Sequence, residues 1–433
     1  VLPVFVWDTT DPHDFGGASK WWLHHSLSSL LHEVPLALYQ GEAATLLPQL
    51  VQQHGISHVF WNRTYEPHAI ARDTTLKKTL IEQGVTVETC NARLLHEPWD
   101  VKNQSGQPFK VFTPYWRAAS SREVPAPLPA PKNVAWIKVT ADTLASWHLL
   151  PTRPNWAEGF KWPVGEAGAW QRLTDFLDND LAGYGAQRDR PDLNITSRLS
   201  PHLHFGEISP RQIWHATHMA NAPAADKTKF LAELGWREFS YSLLYHFPTL
   251  PHASWKPQFE SFPWQENPAF LQAWQRGQTG YPLVDAAMRE LWHTGTMHNR
   301  MRMLAASFLI KHLLQDWRHG AAWFWDTLCD ADLASNSASW QWVAGCGADA
   351  SPYFRIFNPI TQGEKFDPHG TYTRRWVPEV AKLPTEHLFA PWEAPPLTLA
   401  AANITLGTTY PKPLVNHMQA RDKALAALKT LRA

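Results

Sequence analysis

Four short apolar runs, Leu2–Trp7, Pro35–Tyr39, Ile56–Trp61 and Val85–Thr89, alternate with three stretches of helical spacing, Ala18–Glu33, Glu42–His54 and His68–Gln83. Few folds accommodate that order. Strands this apolar need cover on both faces, and intervening helices supply it when consecutive strands run parallel. A helix-flanked parallel sheet of Rossmann-like α/β type is therefore expected over 1–117, with Gly55 and Gly84 closing helix ends. Ligands on such sheets sit beyond the carboxyl ends of the strands, which draws attention to Asp8, Asn62 and Arg63. Ordinary loop polarity is the plainer reading of each.

The alternation stops at Ala118–Lys132, where Pro125, Pro127, Pro129 and Pro131 take every second position and favour an extended linker. Pro151, Pro154 and Pro163 carry the irregular stretch to 164, and helical spacing dominates from 165 to 433. There Met301, Leu304, Ala305, Phe308, Leu309 and His312 predict a helix with one buried face. Ser200-Pro201 and Ser209-Pro210 each place an N-cap serine before a proline at the first helical position. The expected organisation is an α/β domain (1–117), a proline-rich linker (118–164) and a larger all-α domain (165–433). A chain of 433 residues exceeds what one core commonly supports.

Composition narrows the function. Lys+Arg and Asp+Glu number 39 each, so no global field draws the chain to nucleic acid, and any phosphate contact must be local. Arg188/Arg190/Arg198, Arg300/Arg302 and Arg374/Arg375 are the candidate clusters. Three cysteines without a C-x-x-C spacing argue against a disulfide framework or a thiolate zinc site. The histidine pairs lack partners at metal-site spacing, so no metal is expected. No apolar run reaches the ~20 residues of a membrane span, and no basic region precedes Asp8 as a secretory signal requires. The expected setting is the bacterial cytoplasm. Eight of the 24 tryptophans crowd into residues 264–342, which suits either an aromatic core or a path for single electrons.

Thr196-Ser197-Arg198-Leu199-Ser200-Pro201 sets hydroxyls and a guanidinium ahead of a helix start, an arrangement suited to pyrophosphate, though a plain N-cap has the same pattern. Tyr184, Arg188 and Arg190 add donors upstream. Further strings follow in order: Glu233-Leu234-Gly235-Trp236-Arg237-Glu238-Phe239, Thr279 to Arg289, Met297-His298-Asn299-Arg300-Met301-Arg302-Met303, Asp330 to Asn336, Trp340-Gln341-Trp342 and Phe354 to Pro359. Together they resemble the DNA photolyase/cryptochrome family, specifically the class I cyclobutane pyrimidine dimer photolyases. The resemblance is strong from Tyr184 to Trp376 and collinear elsewhere.

The resemblance implies a carbon–carbon lyase with FAD folded inside the helical domain, reduced and anionic when active. Tyr184, Thr196, Ser197, Arg198, Leu199 and Ser200 are then assigned to its phosphates, and Asp330, Ala331 and Asp332 to its sugar and ring edges. Arg302 pairs with Asp330 over the ring, and the Asn336 amide faces flavin N5. The implied partner is UV-damaged DNA, whose dimer must be flipped out to be reached. Trp236 and Trp342 form aromatic walls, Glu233 and Asn299 bond the dimer edges, and Met303 packs beneath. Arg188, Arg237, Arg300 and Gln362 contact the strand. One electron from excited flavin splits the ring and returns, so no nucleophile or general-base dyad is expected. Trp340, Trp317 and Trp264 match a relay from the surface, whereas Trp323 and Trp325 read as core.

The chain also departs from the family pattern. Ser337-Ala338-Ser339 stands where Asn-Gly-Gly is common. The chain opens at what corresponds to the family's second strand, so the usual first, central strand is expected to be missing. The lysine that accompanies a folate antenna is absent at Pro251-His252-Ala253; a deazaflavin or flavin mononucleotide is the expected second chromophore, if one binds. A monomer is expected. The alternative is a cryptochrome-like photoreceptor without repair, but such proteins often carry long C-terminal extensions, and here a short helical run follows Tyr410. A six-four photolyase calls for histidines where Asn299 and Met303 stand.

Overall fold

The structure, a computed structural model, describes residues 1–349 and 354–431. The four apolar runs form β1 (Val4–Asp8), β2 (Ala37–Gly41), β3 (His58–Asn62) and β4 (Thr86–Cys90), each one or two residues later than its run. For β1 and β2 the cause is proline: Pro3 and Pro35 cannot donate to a ladder and stay outside it. Between the strands lie α1 (Gly17–Glu33), α2 (Ala43–His54) and α3 (Pro67–Glu82). Gly55 ends α2 in the left-handed region at φ 60°.

Both strand pairings are parallel, as the alternation demands: Val4 lies opposite Ala37, and His58 opposite Thr86. One continuous sheet does not form. β1–β2 and β3–β4 are separate two-stranded sheets, with no strand among the described residues joining β1 to β3. Cover is also thinner than expected, because β3 and β4 alternate exposed with half-buried residues and Phe60 is 61% exposed. After α4 (Phe112–Ser120) the chain runs without helix or strand to Thr143, apart from an isolated bridge between Leu38 and Asp142.

The second lobe is helical: α5 (Glu166–Asp175), α6 (Tyr184–Gln187), α7 (Ser200–Phe205), α8 (Pro210–Met219), α9 (Ala224–His246), α10 (Pro268–Gln275), α11 (Pro282–Thr294), α12 (Asn299–Ser307), α13 (Trp317–Thr327), α14 (Leu333–Ala344) and α15 (Pro359–Phe366), with shorter helices leading to His417–Thr430. Its largest core gathers Trp274, Met301, Phe308, Trp317, Phe324 and Trp340. The helix predicted across 301–312 is interrupted: α12 stops at Ser307, and a π-helical turn, Phe308–His312, continues it with all five residues buried. Such turns are rare and mostly occur near functional sites. Ser209 caps α8 in a reciprocal capping box with Gln212. Ser200 does not cap α7; Leu199 holds that position, and Ser200 turns its hydroxyl to Asp330 Oδ2 at 2.5 Å.

The lobes share an interior. Trp22 of α1 is fully buried and donates its indole N–H to Glu207 at 3.0 Å, Gly17 N–H meets Asp326 at 2.9 Å, and Trp325 Nε1 meets Asp14 O at 2.9 Å. No helix among the described residues is long and apolar enough to cross a membrane.

Candidate active site

α9, α12 and α14 present faces to a cavity of about 570 Å³, which residues 196–200 and the 328–332 turn also line. That volume lies in the range of cofactor pockets. Thr196, Ser197, Arg198, Leu199 and Ser200 all belong to that lining, as does Tyr184. Arg198 sits at φ 51°, an uncommon conformation for a long side chain and one that clusters at ligand sites. Burial pushes its pKa down, Glu290 opposes this, and Arg375 adds to it.

Deeper in, Arg302 Nη2 reaches both Asp330 oxygens, at 3.1 and 2.9 Å, while its Nε donates to Met297 O at 2.8 Å. Asp332 caps α14 through Ser335 N–H at 2.7 Å and accepts the Tyr241 hydroxyl. Burial opposes its charge, yet His204, Arg237 and Tyr241 together hold its carboxyl below the usual range. Ala331 and Asn336 also line the wall, and the Asn336 amide nitrogen is fixed on Ala321 O at 3.0 Å.

Glu233, Trp236, Arg237, Asn299, Met303 and Trp342 line the same cavity. Two of these are not independent. Glu233 is paired with Arg188, whose guanidinium also lies 5.5 Å from the Tyr184 ring. Arg237 turns inward, donating to Arg93 O at 2.6 Å and covering the Tyr241 ring at 5.0 Å, which makes it support for Asp332 more than a surface contact. Arg300 and Gln362 stand apart, in a neighbouring cleft with Arg190, Arg355 and Lys365. There Arg300 bonds Asp189 at 2.7 Å and lies 4.5 Å from the Phe366 ring.

Trp340 forms part of the cavity wall and packs 4.9 Å from Phe324. Gly320 lies so close that an added Cβ would come within 2.1 Å of the indole. Trp317 and the half-buried Trp264 belong to the same core, and Gln265 N–H on Leu314 O at 2.8 Å brings Trp264 beside the segment entering α13. The indole N–H groups of Trp264 and Trp317 are buried without a partner among the described residues. Trp323 and Trp325 are half-buried at the edge of that core.

The sequence also concealed a site residue. His298 lines the cavity and accepts Arg300 N–H through Nδ1 at 3.2 Å, which leaves the proton on Nε2. Nε2 is buried, and burial lowers the pKa to about 4. The neutral imidazole thus braces the start of α12 against the backbone of Arg188. Its only sequence signal was its place ahead of Asn299. Asp8 and Arg63, by contrast, are tied to Arg72 at 3.0 Å and Glu97 at 2.5 Å, and Arg374 holds carbonyls of Ala381 and Leu383. Among the described residues no group of His, Cys, Asp or Glu is placed to hold a metal.

Residues 230–430 match the FAD binding domain of DNA photolyase, and residues 1–132 match the DNA photolyase domain. A deoxyribodipyrimidine photo-lyase of Agrobacterium fabrum is 50% identical over 439 residues, covering 99% of this chain and 91% of that relative. The chain belongs to the photolyase/cryptochrome family. Cryptochrome-1 of Arabidopsis thaliana is 36% identical, over 100% of this chain and 66% of its own length. A solved photolyase, the bacterial class III enzyme of Agrobacterium tumefaciens, superposes with a TM-score of 0.94 at 48% identity, covering 100% of this chain and 92% of that one. The class I expectation therefore finds no support. Most of the strings behind it line the photolyase cavity, whose shape the cofactor dictates, and so they mark family more than subclass.

Proposed function

We propose that this photolyase repairs cyclobutane pyrimidine dimers in UV-damaged DNA with light absorbed by FAD. The observation that carries this is one cavity lined both by phosphate-suited hydroxyls with Arg198 and by two indoles, Trp236 and Trp342. The residues fit FAD: Thr196, Ser197 and Arg198 suit its phosphates, and Asp332 and Ala331 its sugar and ring edges. Arg302, fixed on Asp330, sets a cation where a reduced ring is negative. Bound and reduced, FAD supplies on excitation the electron that opens the cyclobutane ring.

The protein's own work is to extract and hold the lesion. Flipping costs a few kcal/mol, less at a damaged step, and stacking on an aromatic wall returns roughly 1–3 kcal/mol per base. Glu233, oriented by Arg188, and Asn299 bond the pyrimidine edges, with Met303 beneath. Arg300 and Gln362, in their separate cleft, meet the flanking strand. Trp264, Trp317 and Trp340 carry an electron from the surface to the cavity wall. In Trp264→Phe, illumination of oxidised protein with a reductant is expected to reduce the flavin at least several-fold more slowly, while chemically reduced protein still repairs; an unchanged rate removes Trp264 from the relay.

We assign the chain to the class III type, in keeping with the Agrobacterium tumefaciens enzyme, as a cytoplasmic monomer with domains at 1–117 and 165–433 joined by 118–164. Likeness to Cryptochrome-1 keeps a photoreceptor role as the second reading. Blue light on reduced protein with an irradiated oligonucleotide separates them: dimers should disappear and six-four products persist. Intact dimers under a flavin-loaded protein sink the repair reading.

A further inference from the structure

Phe112, the first residue of α4 in the N-terminal lobe, stacks on Trp236 with ring centroids 3.7 Å apart and planes 7° from parallel. Trp236 lines the cavity and Phe112 does not, so Phe112 covers the indole face turned away from it. Ring quadrupoles do not favour so full an overlap. The neighbours impose it: Phe239 meets Phe112 edge-on at 6.0 Å, and Gly235 admits Trp116 of α4 so closely that a Cβ there would lie 2.5 Å from the indole. α4 can approach α9 to this distance because residue 235 has no side chain.

The opposite wall is tied to the same helix. Trp342 donates its indole N–H to Asp349 O at 3.0 Å, and Asp349 holds φ 52°, a left-handed conformation that aspartate adopts more readily than most residues. Burial raises the pKa of the Asp349 carboxyl, and the Phe112 backbone N–H facing that carboxyl opposes the shift. Asp349 therefore holds the Trp342 indole through its carbonyl and turns its carboxyl toward the first residue of α4.

We infer that Phe112 and Asp349 are positioning residues: the N-terminal lobe, through α4, sets the orientation and separation of Trp236 and Trp342 before a flipped pyrimidine dimer enters between them. The inference rests on reading that space as the lesion site. A slot fixed in advance binds more tightly because less ordering remains to be done on association.

The test is the dark affinity of flavin-loaded protein for a labelled oligonucleotide carrying one thymine dimer, beside the same undamaged strand. Phe112→Leu keeps an apolar side chain of similar bulk but removes the ring; it should weaken lesion binding about threefold to tenfold, raise KM in step, and leave flavin content unchanged. Phe112→Tyr should restore affinity. Trp236→Ala serves as the control. Weakened binding in Trp236→Ala with wild-type affinity in Phe112→Leu overturns the positioning role alone, since Phe112 is then mere packing. Wild-type affinity in both overturns the lesion-site reading and this inference with it. If Phe112→Leu fails to hold flavin, Asp349→Ala decides: about threefold weaker binding supports the inference, and unchanged binding overturns it.

Discussion

Arg302→Ala is expected to purify as a colourless protein. The Asp330 side chain is almost wholly buried and takes two contacts from Arg302, leaving only the Ser200 hydroxyl among the described residues when the guanidinium is removed. Stranding one partner of a buried pair costs roughly 3–5 kcal/mol, because the remaining charge has been desolvated without compensation. The strain falls on the 328–332 turn that forms the cavity wall, so cofactor retention should fail before the fold does. The ratio of flavin to protein absorbance measures this. Arg302→Lys should retain part of the flavin, since it keeps the charge but not the second donor that holds Met297 O. Full flavin content in Arg302→Ala would mean that the pair is not part of the cofactor's hold.

Trp236→Ala should produce the second large effect, on DNA and not on flavin. Removal of one stacking wall forfeits roughly 1–3 kcal/mol, a loss of about 5- to 150-fold in affinity for a dimer-containing strand. Binding of undamaged strand, which leaves its bases stacked, should change little. Mobility shift with both strands at one salt concentration reads the difference. Equal losses on damaged and undamaged DNA would place Trp236 on the backbone path and not against the lesion.

Local signals in the chain were readable and distant pairings were not. The alternation of apolar runs and helical spacing located all four strands and the three helices between them within two residues, because period and proline placement act on neighbours. Whether those strands make one sheet depends on lateral partners far away in sequence, and two sheets formed. The same divide runs through the site. The residues that the resemblance assigned to the flavin, and Trp236, Trp342, Glu233, Asn299 and Met303, line one cavity. The resemblance did not show that Ser200 serves Asp330 instead of capping α7, that Arg188 and Glu233 are a pair, or that Arg237 points inward. Each depends on groups at least 45 residues apart. His298 and Phe112 carried no chemistry-bearing pattern at all; only the packing of α12 and α4 gives them a role.

Trp22 inserted beside Glu207, with Gly17 on Asp326, means that the proline-rich stretch between the lobes is a tether and not the joint. Neither lobe can open without baring an indole and abandoning its buried bond to Glu207, so heat should melt the whole molecule in one cooperative step, as if the chain held a single folding unit.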